Sequence, residues 1–141
     1  MLHALFLGME IHQEEKGIFI SQKKYAQDIL KKFKTDTCKA VSTPLALNLK
    51  VSKDDGEKLS NPIIFRSLVE SLLYLMAPMS YLMFAASMLS RYMNSPCKAH
   101  FGIAKRVVRY LKGTLDFGIW FKSIGDLKLI GYADSDWASC V

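Results

Sequence analysis

Two carboxylates set two residues apart at the end of an apolar run are the first feature of this chain that could do chemistry. In Tyr132-Ala133-Asp134-Ser135-Asp136-Trp137, the period of two along a strand turns Asp134 and Asp136 to one side, where their oxygens suit a hard divalent cation. A hydrolytic centre built on two cations needs further acids to hold the ions about 3.5–4 Å apart, and no acid follows Asp136 in the sequence. The same Asp-Ser-Asp also reads as a turn, because short polar side chains bond to nearby backbone. Asp54-Asp55 sits between Ser52-Lys53 and Gly56-Glu57-Lys58 and lacks the apolar flanks that would aim a metal-binding pair, so it reads as a solvated loop. His3, His12 and His100 combine with no serine or cysteine into a nucleophile and base, and His100 reads as a packing or capping residue. Cys38, Cys97 and Cys140 are odd in number and far apart. The spacing of Cys97 and His100 has no second pair to complete it, so neither a disulfide framework nor a zinc site is indicated.

The other chemical feature is charge. The 141 residues carry a formal charge of +6, which favours an anionic partner without naming one. Residues 1–60 nearly balance, with ten lysines against eight acids, whereas residues 78–122 hold seven Lys or Arg against Asp116 alone. Within that window Lys98, Lys105, Arg109 and Lys112 fall, at 100° per residue, in a stripe about 60° wide on one helix face. Such a stripe can follow a phosphate backbone. It also describes the solvated side of any core helix.

These residues must be positioned by elements that the hydrophobic pattern outlines. Residues 4–12 and 17–21 are β-favouring runs around polar Gln13-Glu14-Glu15-Lys16 and predict a hairpin. Ser21 is placed to cap a helix through about Lys34, with Tyr25, Ala26, Ile29, Leu30 and Phe33 inward. Residues 35–61 lack periodicity and predict a long surface loop. Pro62 opens a second helix whose Phe65, Leu68, Val69, Leu72, Leu73 and Met76 recur at steps of three and four, and Pro78 ends it. A third helix is expected over 80–93 with Leu82, Ala85, Ala86, Leu89 and Met93 inward. A fourth is expected over 98–112 with His100, Ala104, Val107, Val108 and Leu111 inward and Gly113 as its terminal cap. Residues 117–121 and 127–133 predict a closing hairpin. The fold class is therefore α+β: a hairpin and helix, a long loop, a three-helix cluster and a terminal hairpin.

No charge occurs from Ser71 through Ser90, and about twenty apolar residues would span a bilayer. Pro78 near the middle, four serines and helical periodicity on both sides favour two helices meeting at a turn instead. The opening residues have no basic region ahead of a long apolar run, so no signal peptide is read and an intracellular setting is expected.

Six blocks in order resemble one family. They are Phe6-Leu7-Gly8-Met9-Glu10-Ile11, Ile18 through Tyr25, Phe65-Arg66-Ser67-Leu68-Val69, Leu72-Leu73-Tyr74-Leu75, Lys105 through Thr114, and Gly131 through Ala138. Together they resemble the copia-type retrotransposon Pol polyprotein. By that resemblance, residues 1–60 correspond to the end of the reverse transcriptase palm and thumb, 61–114 to a helical thumb and connection, and 115–141 to the truncated start of an RNase H domain. The resemblance implies that the polymerase aspartates lie upstream of these blocks. It gives Asp134 as the first RNase H metal ligand, with Asp136 nearby and the other carboxylates beyond Val141. The expected function is a catalytically incomplete piece of that polyprotein, with no cofactor of its own where the intact enzyme uses Mg2+ or Mn2+. Its expected partners are RNA, DNA or an RNA–DNA hybrid, held weakly and without sequence preference through Lys98, Lys105, Arg109 and Lys112, together with the rest of the polyprotein. A retained small nucleic-acid-binding or interaction protein is one alternative, and a membrane-associated protein through residues 71–90 is another. Two positions depart from the family pattern, Glu70 and Ser139, each where glycine is usual. Pro78-Met79-Ser80-Tyr81 also replaces a charged turn.

Overall fold

The computed structural model describes residues 2–53, 56–75, 79–123 and 130–133. The chain opens with three antiparallel strands, β1 (Leu2–Phe6), β2 (Met9–Glu14) and β3 (Gly17–Ser21). The first apolar run is thus two strands rather than one. Leu7 and Gly8 both take positive φ, 49° and 77°, as a two-residue hairpin turn requires. Leucine at such a φ is costly, and the turn is held from outside: the Tyr74 hydroxyl donates to the Leu7 carbonyl at 3.2 Å.

Helix α1 (Lys23–Lys32) follows directly. Its N-cap is Gln22, whose side chain makes no cap bond, and Ser21 ends β3 paired with Glu10. The capping role expected of Ser21 falls to Glu10 on β2, which accepts from the Lys24 amide at 2.7 Å. A carboxylate there also suits the positive end of the helix dipole.

Helix α2 (Pro62–Tyr74) begins as expected, with proline in its first turn and the Asn61 side chain accepting from the Ile63 amide. A 3-10 turn (Ser80–Leu82) leads into α3 (Met83–Ser90), and α4 (Lys98–Gly113) is the longest element. The stretch 71–90 is thus divided between α2 and α3. Among the described residues no helix is long and apolar enough to cross a membrane.

The core is helical. Ala26, Ile29 and Leu30 of α1 meet Phe65, Leu68, Val69 and Leu72 of α2, Ala85, Ala86 and Leu89 of α3, and Ala104, Val107, Val108 and Leu111 of α4, all buried. The faces that three-and-four spacing turns inward are the ones found there, so α1 shares one core with the helices that follow residue 61.

The last described strand is β4 (Ile119–Lys122). It pairs antiparallel with β3, with Ile20 opposite Ile119 and Gly17 opposite Lys122, giving one sheet in the order β1-β2-β3-β4. Residues 130–133 carry no strand, and 127–129 lie outside the described residues. Two glycines permit the pairing. A Cβ on Gly17 would stand 2.3 Å from the Phe121 carbonyl oxygen, and one on Gly118 would stand 2.4 Å from that of Ile20.

Candidate nucleic-acid interface

Helix α4 is held by its buried side chains at one flank and by the long loop along another. His100 is fully buried and stacks on Tyr92 at 4.0 Å between ring centroids. Its Nδ1 accepts from the Cys97 amide at 3.1 Å, and its Nε2 lies 2.8 Å from the Ser52 carbonyl oxygen. A carbonyl only accepts, so Nε2 carries the proton and the ring is the neutral Nε2–H tautomer. His100 packs and caps, as its position on the apolar face implied.

The loop 35–61 runs along α4 from its C-terminal end to its N-terminal end. Lys112 Nζ donates to the Cys38 carbonyl at 2.7 Å, Arg109 Nε to that of Lys39 at 2.8 Å, and Arg106 to Thr43 Oγ1 at 2.9 Å. At the other end Glu57 and Leu59 bond with Lys98 and Pro96 through their backbones. Lys98 Nζ also forms an ion pair with Glu57 at 2.6 Å. Lys105 lies over the Phe101 ring at 4.5 Å and is otherwise exposed.

The four stripe residues therefore differ in what they can offer an anion. Lys98 is paired with Glu57, in a segment that the sequence marks only as a charge cluster. Arg109 and Lys112 donate to carbonyls, which hold the side chains without cancelling their charge. Lys105 keeps its full charge at the surface. Arg106, about 60° around the helix from the nearest stripe residue, lies beside this face, and the carbonyl of Lys39 is brought to it by its bond to Arg109. Helix α4 itself contains no acid.

Asp134 and Asp136 lie outside the described residues. Among the described residues no three of His, Cys, Asp and Glu come together in a group able to hold a metal ion.

With this geometry in view, three comparisons bear on the chain. The retrovirus-related Pol polyprotein from transposon RE2 of Arabidopsis thaliana is 41% identical over 133 residues, covering 94% of this chain and 9% of that protein. The chain is a relative of the copia-type retrotransposon Pol polyproteins. The corresponding Pol polyprotein from transposon TNT 1-94 of Nicotiana tabacum is 35% identical over 143 residues, 94% of this chain and 10% of that protein. An uncharacterised mitochondrial protein of Arabidopsis thaliana is 38% identical over 135 residues, 96% of this chain and 56% of that protein. The chain thus spans about a tenth of the Pol polyproteins and about half of the mitochondrial protein. No family profile matches it, and no solved structure does.

Proposed function

We propose that these 141 residues form connecting scaffold of a retrotransposon reverse transcriptase and RNase H polyprotein, and that they hold RNA, DNA or their hybrid weakly through the outer face of α4. The likeness to a tenth-length slice of the Pol polyproteins, sustained over 94% of the chain, carries the first half of this reading. The acid-free α4 carries the second. Lys105, Arg106, Arg109 and Lys112 there remain charged, three of them fixed in place by loop contacts, which lowers the ordering cost of meeting a phosphate. In this reading Lys98 contributes less than Lys105, Arg109 and Lys112 because Glu57 competes for it.

Binding of this kind is dominated by counterion release, with log affinity falling against log salt by about 0.9 per phosphate neutralised. Titration of the chain against a fluorescent RNA–DNA hybrid at two salt concentrations tests it. Three phosphate contacts predict a slope near −3, and Lys105→Glu with Arg109→Glu should reduce it. A slope near zero, or one unchanged in that variant, overturns the reading.

By the same reading the 141 residues do not cut nucleic acid alone. The chain with Mg2+ or Mn2+ should leave an RNA–DNA hybrid uncut above background, and cleavage abolished by Asp134→Asn would refute this while also establishing Asp134 as a ligand. The mitochondrial relative, named as a protein in its own right, favours a second reading in which such a segment is retained for binding. Micromolar or tighter affinity that survives physiological salt would support it.

A further inference from the structure

We infer that the outer corner of the sheet, at Lys16, Trp120 and Lys122, is a stacking site for an unpaired nucleobase with its phosphate between the two lysines. This rests on the reading of the chain as a nucleic-acid-holding scaffold and adds to it a second site, separate from α4, that selects single strands.

The site follows from the strand register. His12, Phe19 and Trp120 stand opposite one another across β2, β3 and β4, so their side chains lie on the same sheet face. The His12 and Phe19 rings are 6.3 Å apart and tilted. Each of the two larger rings has a glycine beneath it, Gly17 in β3 and Gly118 just ahead of β4. A Cβ on Gly17 would stand 3.0 Å from Trp120 Cζ2, and one on Gly118 would stand 2.5 Å from Phe19 Cζ. The two aromatics are thereby packed down onto backbone, which leaves Trp120 40% exposed despite its fixed base. A supported, solvent-facing indole is a platform on which any base can stack.

The charge around it is arranged for a phosphate. Lys16, Trp120, Lys122 and Ser123 line one cleft of about 330 Å³, at the small end of ligand-sized cavities and too small for a base pair. Ser123 fastens its rim, donating from its amide to the Lys16 carbonyl at 3.0 Å and from its hydroxyl to that of Glu15 at 3.1 Å. Neither lysine forms an ion pair with a described residue. Glu14 shares the face with His12 and pairs in register with Gly17, so it opposes an anion there and sets the affinity low.

A short oligothymidylate titrated into the full chain, in a Trp137→Phe background so that Trp120 is the remaining tryptophan, reads the site directly. Saturable quenching of Trp120 fluorescence by the single strand, and none by a duplex of equal length, is the expected result. Trp120→Ala should weaken single-strand binding by about tenfold, the scale of one lost base stack, and leave duplex binding unchanged. Lys122→Gln, an exposed change that leaves the rings packed, should weaken it too, and Glu14→Gln should tighten it. If both Trp120→Ala and Lys122→Gln bind single strands as the parent does, the inference falls while the α4 reading stands. If neither single strand nor hybrid binds, both fall together.

Discussion

Replacing His100 by leucine tests whether the long loop and α4 are one structural unit. The ring joins three things: the start of α4, through Nδ1 and the Cys97 amide; the loop, through Nε2 and the Ser52 carbonyl; and Tyr92, through a stacked contact. Tyr92 itself reaches the loop by donating to the Val51 carbonyl at 3.1 Å. Leucine fills much of the volume, so no large cavity forms, but both hydrogen bonds and the ring stacking are lost. Each lost bond removes about 1 kcal/mol, with the aromatic pair adding about 1 kcal/mol. The sum is about 3 kcal/mol, or roughly a 10 °C fall in Tm for a chain of this size. His100→Gln should recover about 1 kcal/mol of this, because glutamine at the third helical position can rebuild the capping bond. Denaturant unfolding gives the energies, and limited proteolysis within 44–58 should speed up in both variants because the Ser52 tether is gone. A leucine variant as stable as the parent, with its loop equally protected, would refute the reasoning. So would 15N shifts showing the Nδ1–H tautomer in the parent.

Gly118→Ala should cost about 2 kcal/mol by overpacking against Phe19 and the Ile20 carbonyl; amide exchange should rise in β3 and β4 and stay slow in α2 and α4. Tyr81 is partly desolvated against Tyr110 and Phe117, and this burial raises its phenol above the ordinary 10.0, offset in part by the Thr114 side-chain hydroxyl. Lys23 is raised as well, by its hydrogen bond to Asp116 and then by that residue's charge. In both cases the folded form holds its proton longer, so stability is complete below about pH 10 and declines as pH climbs through the folded values. Absorbance at 295 nm should show one late-ionising tyrosine that Tyr81→Phe removes. Arg109→Gln with Lys112→Gln should open residues 38–43 to protease and weaken hybrid binding together, since the same side chains serve both.

The helices were legible because their information is local. Every inward position named on α4 is buried, and His100 declared itself by sitting on the apolar face. Other features depend on partners far along the chain. Leu7 is apolar and looks like the middle of a strand, yet it turns the chain, with Tyr74 from α2 behind it. Glu10 replaces Ser21 as the helix cap because strand pairing, not sequence adjacency, brings it there. The stripe on α4 was visible as periodicity, but its lysines and arginines meet backbone carbonyls of the loop, and a carbonyl has no residue type to announce it. Trp120 went unread as a site because its setting needs the β3 pairing, made across a separation that no window of sequence covers.

That pairing also bears on how the chain is born. Strand β3 leaves the ribosome about a hundred residues before β4, which at ~5–20 residues per second is a delay of roughly 5–20 s. Throughout it the outer side of β3 offers unpaired amides and carbonyls beside Ile18, Phe19 and Ile20, a template open to any passing strand. The hazard in this molecule thus falls during translation, and a chaperone that shields β3 until Ile119–Lys122 emerges should raise the yield of folded chain more than any change to the finished core.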